Sequence, residues 1–317
     1  MPDIVASWLQ VERNQRSRRQ IRNAAQLIDG RDEVLLLLWR LVVLIKLPHA
    51  TLEVAMRILD SAAAAQTASQ GKKRSRTAQA ANDDWTVTGV ACLRLACKLE
   101  TSLLKGCTQL EAFQTAFRKA GHGLLDAGGY LTAEANVLAV LQWRLPLVST
   151  DMLLAFLSSQ PGLRAPRVQA CSHYLAALSL SDAVLMQAPM SSLAAAATLL
   201  AIHFMFATLT VAQMFVLGTW LCESDAAGFI LGLQPHVDAL HALHMQAVGA
   251  TDGSYLRRMR DEHLSSERSE LTSLRDEMPA RLHLASYLSA VASTPAPATG
   301  ARNGEKGRRL RSCRSKG

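Results

Sequence analysis

GVACLRLACKLE, residues 89–100, has the composition of a buried helix until its last three residues. Arg94 interrupts the apolar run, and Lys98 and Glu100 end it. Apolar residues recur at helical rather than alternating spacing, here and through most of the 317-residue chain. Ala and Leu dominate and aromatics make up only 5%. The fold class read from this pattern is all-α, and the length allows two domains.

Helices are expected near 3–22, 31–46, 51–65, 85–100, 106–120 and 130–144. A second series follows near 150–158, 165–180, 189–207, 210–222 and 226–247. Pro48 should stop one helix and Thr51 cap the next, and Gly106, Gly128 and Gly129 should break the chain between later ones. Thr150 heads a helix, Pro166 sits where a first-turn proline is tolerated, and Pro189 begins the most apolar segment. The stretch 66–84, polar and rich in small residues, reads as an inserted loop. When the two consecutive sets of five helices are compared, GVACLRLACKLE and SLAAAATLLAIHF (192–204) each stand third in their set. That layout is a duplicated bundle with one central helix per repeat.

The net charge of +8 suggests nucleic-acid binding until it is located. Residues 301–317 hold seven basic residues against one acidic one, and KKRSR at 72–76 adds four more cations, so the remainder is slightly negative. Nucleic-acid binders carry their charge on a folded face, so no nucleic-acid partner is expected. Such runs read as solvated segments, with nuclear import as the functional alternative. Six cysteines, Cys92, Cys97, Cys107, Cys171, Cys222 and Cys313, form no CxxC pair and read as reduced structural thiols. The first 25 residues carry Arg13, Arg16, Arg18, Arg19 and Arg22 without an apolar signal core, so secretion is not expected.

From Ala183 to Leu221 no Asp, Glu, Lys or Arg occurs, which raises the question of a membrane span. The segment is Ala-rich, contains His203 and Gln213, and lacks an aromatic belt, so a buried central helix is the better reading. Catalysis finds no support: no Gly-rich phosphate loop and no recognisable Ser/His/Asp order. His241 and His244 share a helical face near His236 but lack a fourth ligand, and they read as surface histidines; no metal and no cofactor is expected.

In order and spacing, several segments resemble the cyclins, of the A/B cell-cycle type. They are TLEVAMRILD (51–60), GVACLRLACKLE (89–100), AEANVLAVLQWRLPLVST (133–150), LAALSLSDA (175–183), PMSSLAAAATLLA (189–201) and LQPHVDALH (233–241). The resemblance implies an N-terminal helix in 1–29, cyclin repeats over 30–147 and 148–250, and a helical extension with a basic tail over 251–317. It implies a regulatory subunit that binds and activates a cyclin-dependent serine/threonine kinase in cell-cycle control, at mitosis, in nucleus and cytoplasm. A transcription-associated cyclin or a cyclin-fold adaptor is the alternative within the fold, and a membrane-associated helical protein the alternative outside it.

By resemblance, Lys98 and Glu134 correspond to the family's principal polar contacts to the kinase, and Arg31 and Asp60 to an ion pair that locks the first repeat. The family's apolar substrate-docking patch is degenerate: Gly30 stands for its methionine, Glu33 for its isoleucine and Leu37 for its tryptophan, with Trp39 displaced. Peptides that use such a patch are expected to bind weakly, and Met, Ile and Trp at positions 30, 33 and 37 to restore binding. An Arg-x-x-Leu destruction motif is not evident ahead of residue 30, although Arg281 and Leu284 fit its spacing.

Overall fold

The computed structural model describes residues 30–70, 85–99, 110–145, 148–161, 163–206, 225–264 and 280–286, and residues 7, 10, 28, 210, 213, 217 and 271 besides. Among the described residues the regular structure is helical throughout, in the all-α class expected from the apolar spacing. The expected helices near 3–22 and 210–222, KKRSR, and the basic tail lie outside the described residues, apart from isolated positions.

The first set is α1 (Arg31–Ile45), α2 (His49–Gln70), α3 (Trp85–Leu99), α4 (Leu110–Lys119) and α5 (Ala127–Val140). The second set comprises α6 (Thr150–Ser159), α7 (Pro166–Ser179), the short α8 (Ala183–Gln187), α9 (Met190–Phe206), α10 (Ala226–Gly232) and α11 (Gln234–Gly249). One more helix, α12 (Tyr255–Leu264), follows.

Local chemistry explains where these helices begin and end. Lys46 adopts a left-handed conformation and, with Leu47, returns N–H donors to Val42 and Val43, closing α1 ahead of Pro48. Three expectations fail at boundaries. α2 starts at His49, immediately after Pro48, so Thr51 lies inside its first turn and buried, not at a cap. α2 also runs on through 66–70, since AQTASQ contains no breaker before Gly71. Gly128 and Gly129 do not break the chain; they form the first turn of α5, where the Asp126 carboxylate accepts from both of their N–H groups. The helix expected over 226–247 is divided at Leu233 into α10 and α11.

Each set is built on its third long helix. α3 packs between α2 and α5 with α1 against it, and every residue from Gly89 to Cys97 is buried except Arg94. Gly89 permits this close approach: a Cβ there would stand 2.7 Å from Val34 Cγ1. α9 packs against α6, α7 and α11, and all thirteen residues from Met190 to Ile202 are buried. Among the described residues no helix is long and apolar enough to cross a membrane. Cys92, Cys97 and Cys171 are buried and in no disulfide, and burial pushes the thiols of Cys92 and Cys171 up, which keeps them protonated and unreactive.

Two buried arginines join the sets. Arg31 donates to both carboxylate oxygens of Asp60, at 3.0 and 2.9 Å, and also to the carbonyl of Leu180 at 2.8 Å. The Arg31–Asp60 pair therefore reaches beyond its own set of helices and holds the end of α7. Arg57 donates to Glu53 at 2.9 Å, to the Met186 carbonyl at 2.7 Å and to Thr150 Oγ1 at 3.3 Å. Glu53 in turn accepts from Thr150 N–H and Oγ1, at the start of α6.

Candidate functional site

Lys98 and Glu134 meet where α3 packs on α5. Lys98 lies in the last turn of α3, where a cation also complements the helix C-terminus. Its side chain is 38% exposed, and its ammonium donates to Glu134 Oε1. Glu134 is held inside, its side chain only 10% exposed. Its other oxygen accepts from Arg94 Nη1 at 3.0 Å. Arg94 and Lys98 are four residues apart on α3, and Tyr130 and Glu134 four apart on α5, so two rungs face each other across the helix pair. On the lower rung the Arg94 guanidinium lies 5.6 Å from the Tyr130 ring centroid. Burial pushes the Tyr130 phenol up, so it stays neutral beside the arginine. Leu99 and Leu131, which follow Lys98 and Tyr130 in the chain, are both exposed.

Arg94 was legible in the sequence only as an interruption of an apolar run. Its partner is forty residues away, and no local spacing announces it. The Glu53–Arg57 pair was also missed. A signal existed, because a glutamate and an arginine one turn apart inside TLEVAMRILD need each other if the helix is buried.

The residues standing for the docking patch do not form an apolar surface. Leu37 is 4% exposed and belongs to the core, on a helix whose Val34, Leu35, Leu38, Leu41 and Val42 are buried as well. Gly30 has φ 68 and caps α1 without a side-chain hydrogen bond. Exposed Glu33 borders, with Asp32, Ser181, Asp182 and Gln246, a polar cleft between the two sets. Trp39 points elsewhere: its Nε1 donates to Glu262 at 3.1 Å, and the Arg258 guanidinium lies 5.3 Å from its ring, so α12 covers this part of α1. The restoration expected from Met, Ile and Trp is therefore corrected, because two of the three positions cannot present a side chain to a ligand without strain or repacking.

The histidines of α11 also differ from expectation. His244 is fully buried, its Nδ1 3.0 Å from the Tyr174 hydroxyl and its ring against Phe204. Burial, reinforced by His241 and Arg260, pushes it down to about 4. Val237, Leu240, His244 and Ala247 follow helical spacing along one buried face, a pattern visible in the sequence. Among the described residues no group of three or more His, Cys, Asp or Glu could hold a metal ion. The spacing match at Arg281 and Leu284 is part of the fold: Arg281 clasps Asp238 with two hydrogen bonds, and Leu284 is buried.

No curated protein matched the chain. Residues 3–146 match the family described as "Cyclin, N-terminal domain", a span that holds α1 to α5 with Lys98 and Glu134, and this match supports the cyclin family.

Proposed function

We propose that the chain is a regulatory subunit that binds and activates a cyclin-dependent serine/threonine kinase, in cell-cycle control and at mitosis. The observation that carries this reading is the half-exposed Lys98 ammonium braced by a covered Glu134, inside the span that matches the cyclin family. A cation fixed in place by a carboxylate loses little freedom on docking, and its remaining N–H donors suit carbonyl oxygens of a partner helix. Binding energy spent on the kinase's mobile helix would hold its catalytic lysine–glutamate pair in the active arrangement. The chain itself supplies no phosphoryl-transfer chemistry. KKRSR and the basic tail act as import signals, which places the protein in nucleus and cytoplasm.

Capture of the tagged chain from dividing cells, with identification of co-purified kinases and assay of their activity through the cycle, tests the reading. A cyclin-dependent kinase stimulated by the chain, with a maximum at mitosis, is the expected result. ATP turnover by the pure chain, or a chain that binds kinases without stimulating them, overturns it; the latter outcome is that of an adaptor. Removal of 72–76 and 301–317 should lower nuclear accumulation while leaving stimulation intact.

A further inference from the structure

Residues 280–286, ARLHLAS, lie across the seam where α9 packs on α11. Two side chains one turn apart on α11 hold them. The Gln234 carboxamide donates to the Leu282 carbonyl and accepts from the Leu284 N–H, both at 2.8 Å, so one amide reads the main chain twice. The Asp238 carboxylate accepts from the Arg281 guanidinium at 3.0 and 2.7 Å, and from Gln234 at 2.9 Å. From α9, His203 Nε2 lies 2.9 Å from the Ala280 carbonyl. Leu282 and Leu284 are fully buried, whereas Arg281, His283, Ala285 and Ser286 are exposed.

Nothing in this recognition depends on the segment belonging to the same chain. α11 reads one carbonyl, one N–H and one guanidinium, with two leucines buried in the register Arg-Leu-x-Leu. Main-chain hydrogen bonds that give affinity, with side-chain spacing that gives selectivity, are how proteins dock peptides. The Arg281 side chain is 58% exposed, and an ion pair so open to water fastens only weakly. Residues 265–279 separate the segment from α12, and so short a link keeps it at high local concentration over the seam. We propose that this seam is a peptide-docking site which the chain fills with its own residues 280–286, and which takes from a partner protein a segment of the same chemistry, a cation directly ahead of two leucines in alternate positions. The partner segment enters by exchange, so its apparent affinity falls with the fraction of molecules whose own segment holds the seam. The site uses other helices than Lys98 and Glu134 and does not rest on the kinase reading.

Fluorescence anisotropy of labelled ARLHLAS peptide against the folded full chain tests this. The wild type should bind it weakly. Arg281→Glu sets a carboxylate against Asp238, releases the chain's own segment, and should bind the peptide about tenfold tighter. Leu282→Ser with Leu284→Ser should open the site further. Where circular dichroism shows that variant unfolded, Arg281→Glu decides, because Arg281 is exposed. Asp238→Lys should reverse the preference, binding the peptide with glutamate in place of its arginine about tenfold tighter than the original. Peptides with serine in place of both leucines should bind none of these proteins. Equal affinity in the wild type and Arg281→Glu, or binding indifferent to the peptide's arginine, overturns the inference and leaves 280–286 as a part of the fold only. Wild-type dimers that exchange 280–286 between copies, detected by light scattering, overturn the choice of a foreign occupant.

Discussion

α3 and α9 occupy the same station in their sets, yet only one of them reaches the surface with charge. α9 is buried over its first thirteen residues, and its polar Thr198 is satisfied within the helix, by the Ala194 carbonyl at 2.8 Å. α3 is equally apolar on the faces against α1 and α2 but sends Arg94 and Lys98 to the edge shared with α5. The difference separates scaffold from site. A helix whose only titratable group, His203, closes on the Ala280 carbonyl serves packing, whereas one with a braced cation at its edge can pack and also present a donor. The second set is then best understood as a support, fastened to the first by the buried arginines Arg31 and Arg57.

The largest effect should come from breaking that fastening. Arg57→Met leaves Glu53 buried without its cation and the Met186 carbonyl without a donor. Removing one member of such a pair costs about 3–5 kcal/mol, and urea unfolding should show that loss. Arg31→Met should act similarly through Asp60 and Leu180. If the two sets were independent, either variant would yield two transitions, one of them unchanged.

The next effect belongs to recognition and not to stability. Under the proposed function, Lys98→Ala with Glu134→Ala should weaken association with a cyclin-dependent kinase by about 2–4 kcal/mol, the loss expected of truncated interface anchors. Lys98 is 38% exposed, and its loss alone leaves the apolar packing of α3 untouched. Losing Glu134 also takes an acceptor from Arg94, so Lys98→Ala alone is compared wherever circular dichroism shows the double variant unfolded. An equivalent surface change on the second set, such as Val184→Ala at an exposed position of α8, should leave association unaltered. Titration calorimetry of the folded variants compares the two faces.

The central helices, their order and the contrast between them were visible in the chain, because period and punctuation are local properties. Pro48, Pro166 and the long apolar run after Pro189 mark boundaries that the fold respects. Asp126 was overlooked because the two glycines after it look like a break, although an aspartate ahead of small residues is also a cap. The inter-set clasps were illegible for another reason. Arg57 finds Thr150 and Met186 at separations of 93 and 129 residues, and nothing in the local text of either segment names the other. Arg31 and Asp60 were anticipated through resemblance, but Leu180 as a third partner was not.

His244 sharpens the comparison through pH. Its folded pKa is depressed to about 4 from an ordinary value near 6.5, so the unfolded chain binds its proton first. Stability from this histidine is present above 6.5 and is lost as pH falls toward 4. The loss is about 2 kcal/mol between pH 7 and pH 5, and half-buried His263, near His49 and pushed down to about 4, adds in the same direction. His244→Gln, which keeps a hydrogen-bonding group near Tyr174, should flatten the dependence of the urea midpoint on pH. An equal slope in that variant would show that α11 is not where protons enter. The slope reports on α11 and α12, and neither histidine lies on α3 or α5.

The smallest effect tests the start of α1, where a ligand-binding patch would be built by adding side chains. Gly30 sits at φ 68 and ψ 28, a left-handed conformation that an L-residue with a Cβ adopts at a cost of about 1–2 kcal/mol. A Cβ there would also approach Glu33 Oε2 at 3.3 Å, although that exposed carboxylate can swing away. Gly30→Met should therefore lower stability by about 1 kcal/mol and gain no affinity for apolar peptides, since buried Leu37 supplies no neighbouring surface. Gly30→Asn should lose less, because asparagine tolerates this conformation better than methionine. If methionine proved neutral and asparagine costly, conformation would not be what selects glycine here, and the polar cleft beside Glu33 and Asp182 would have to explain it.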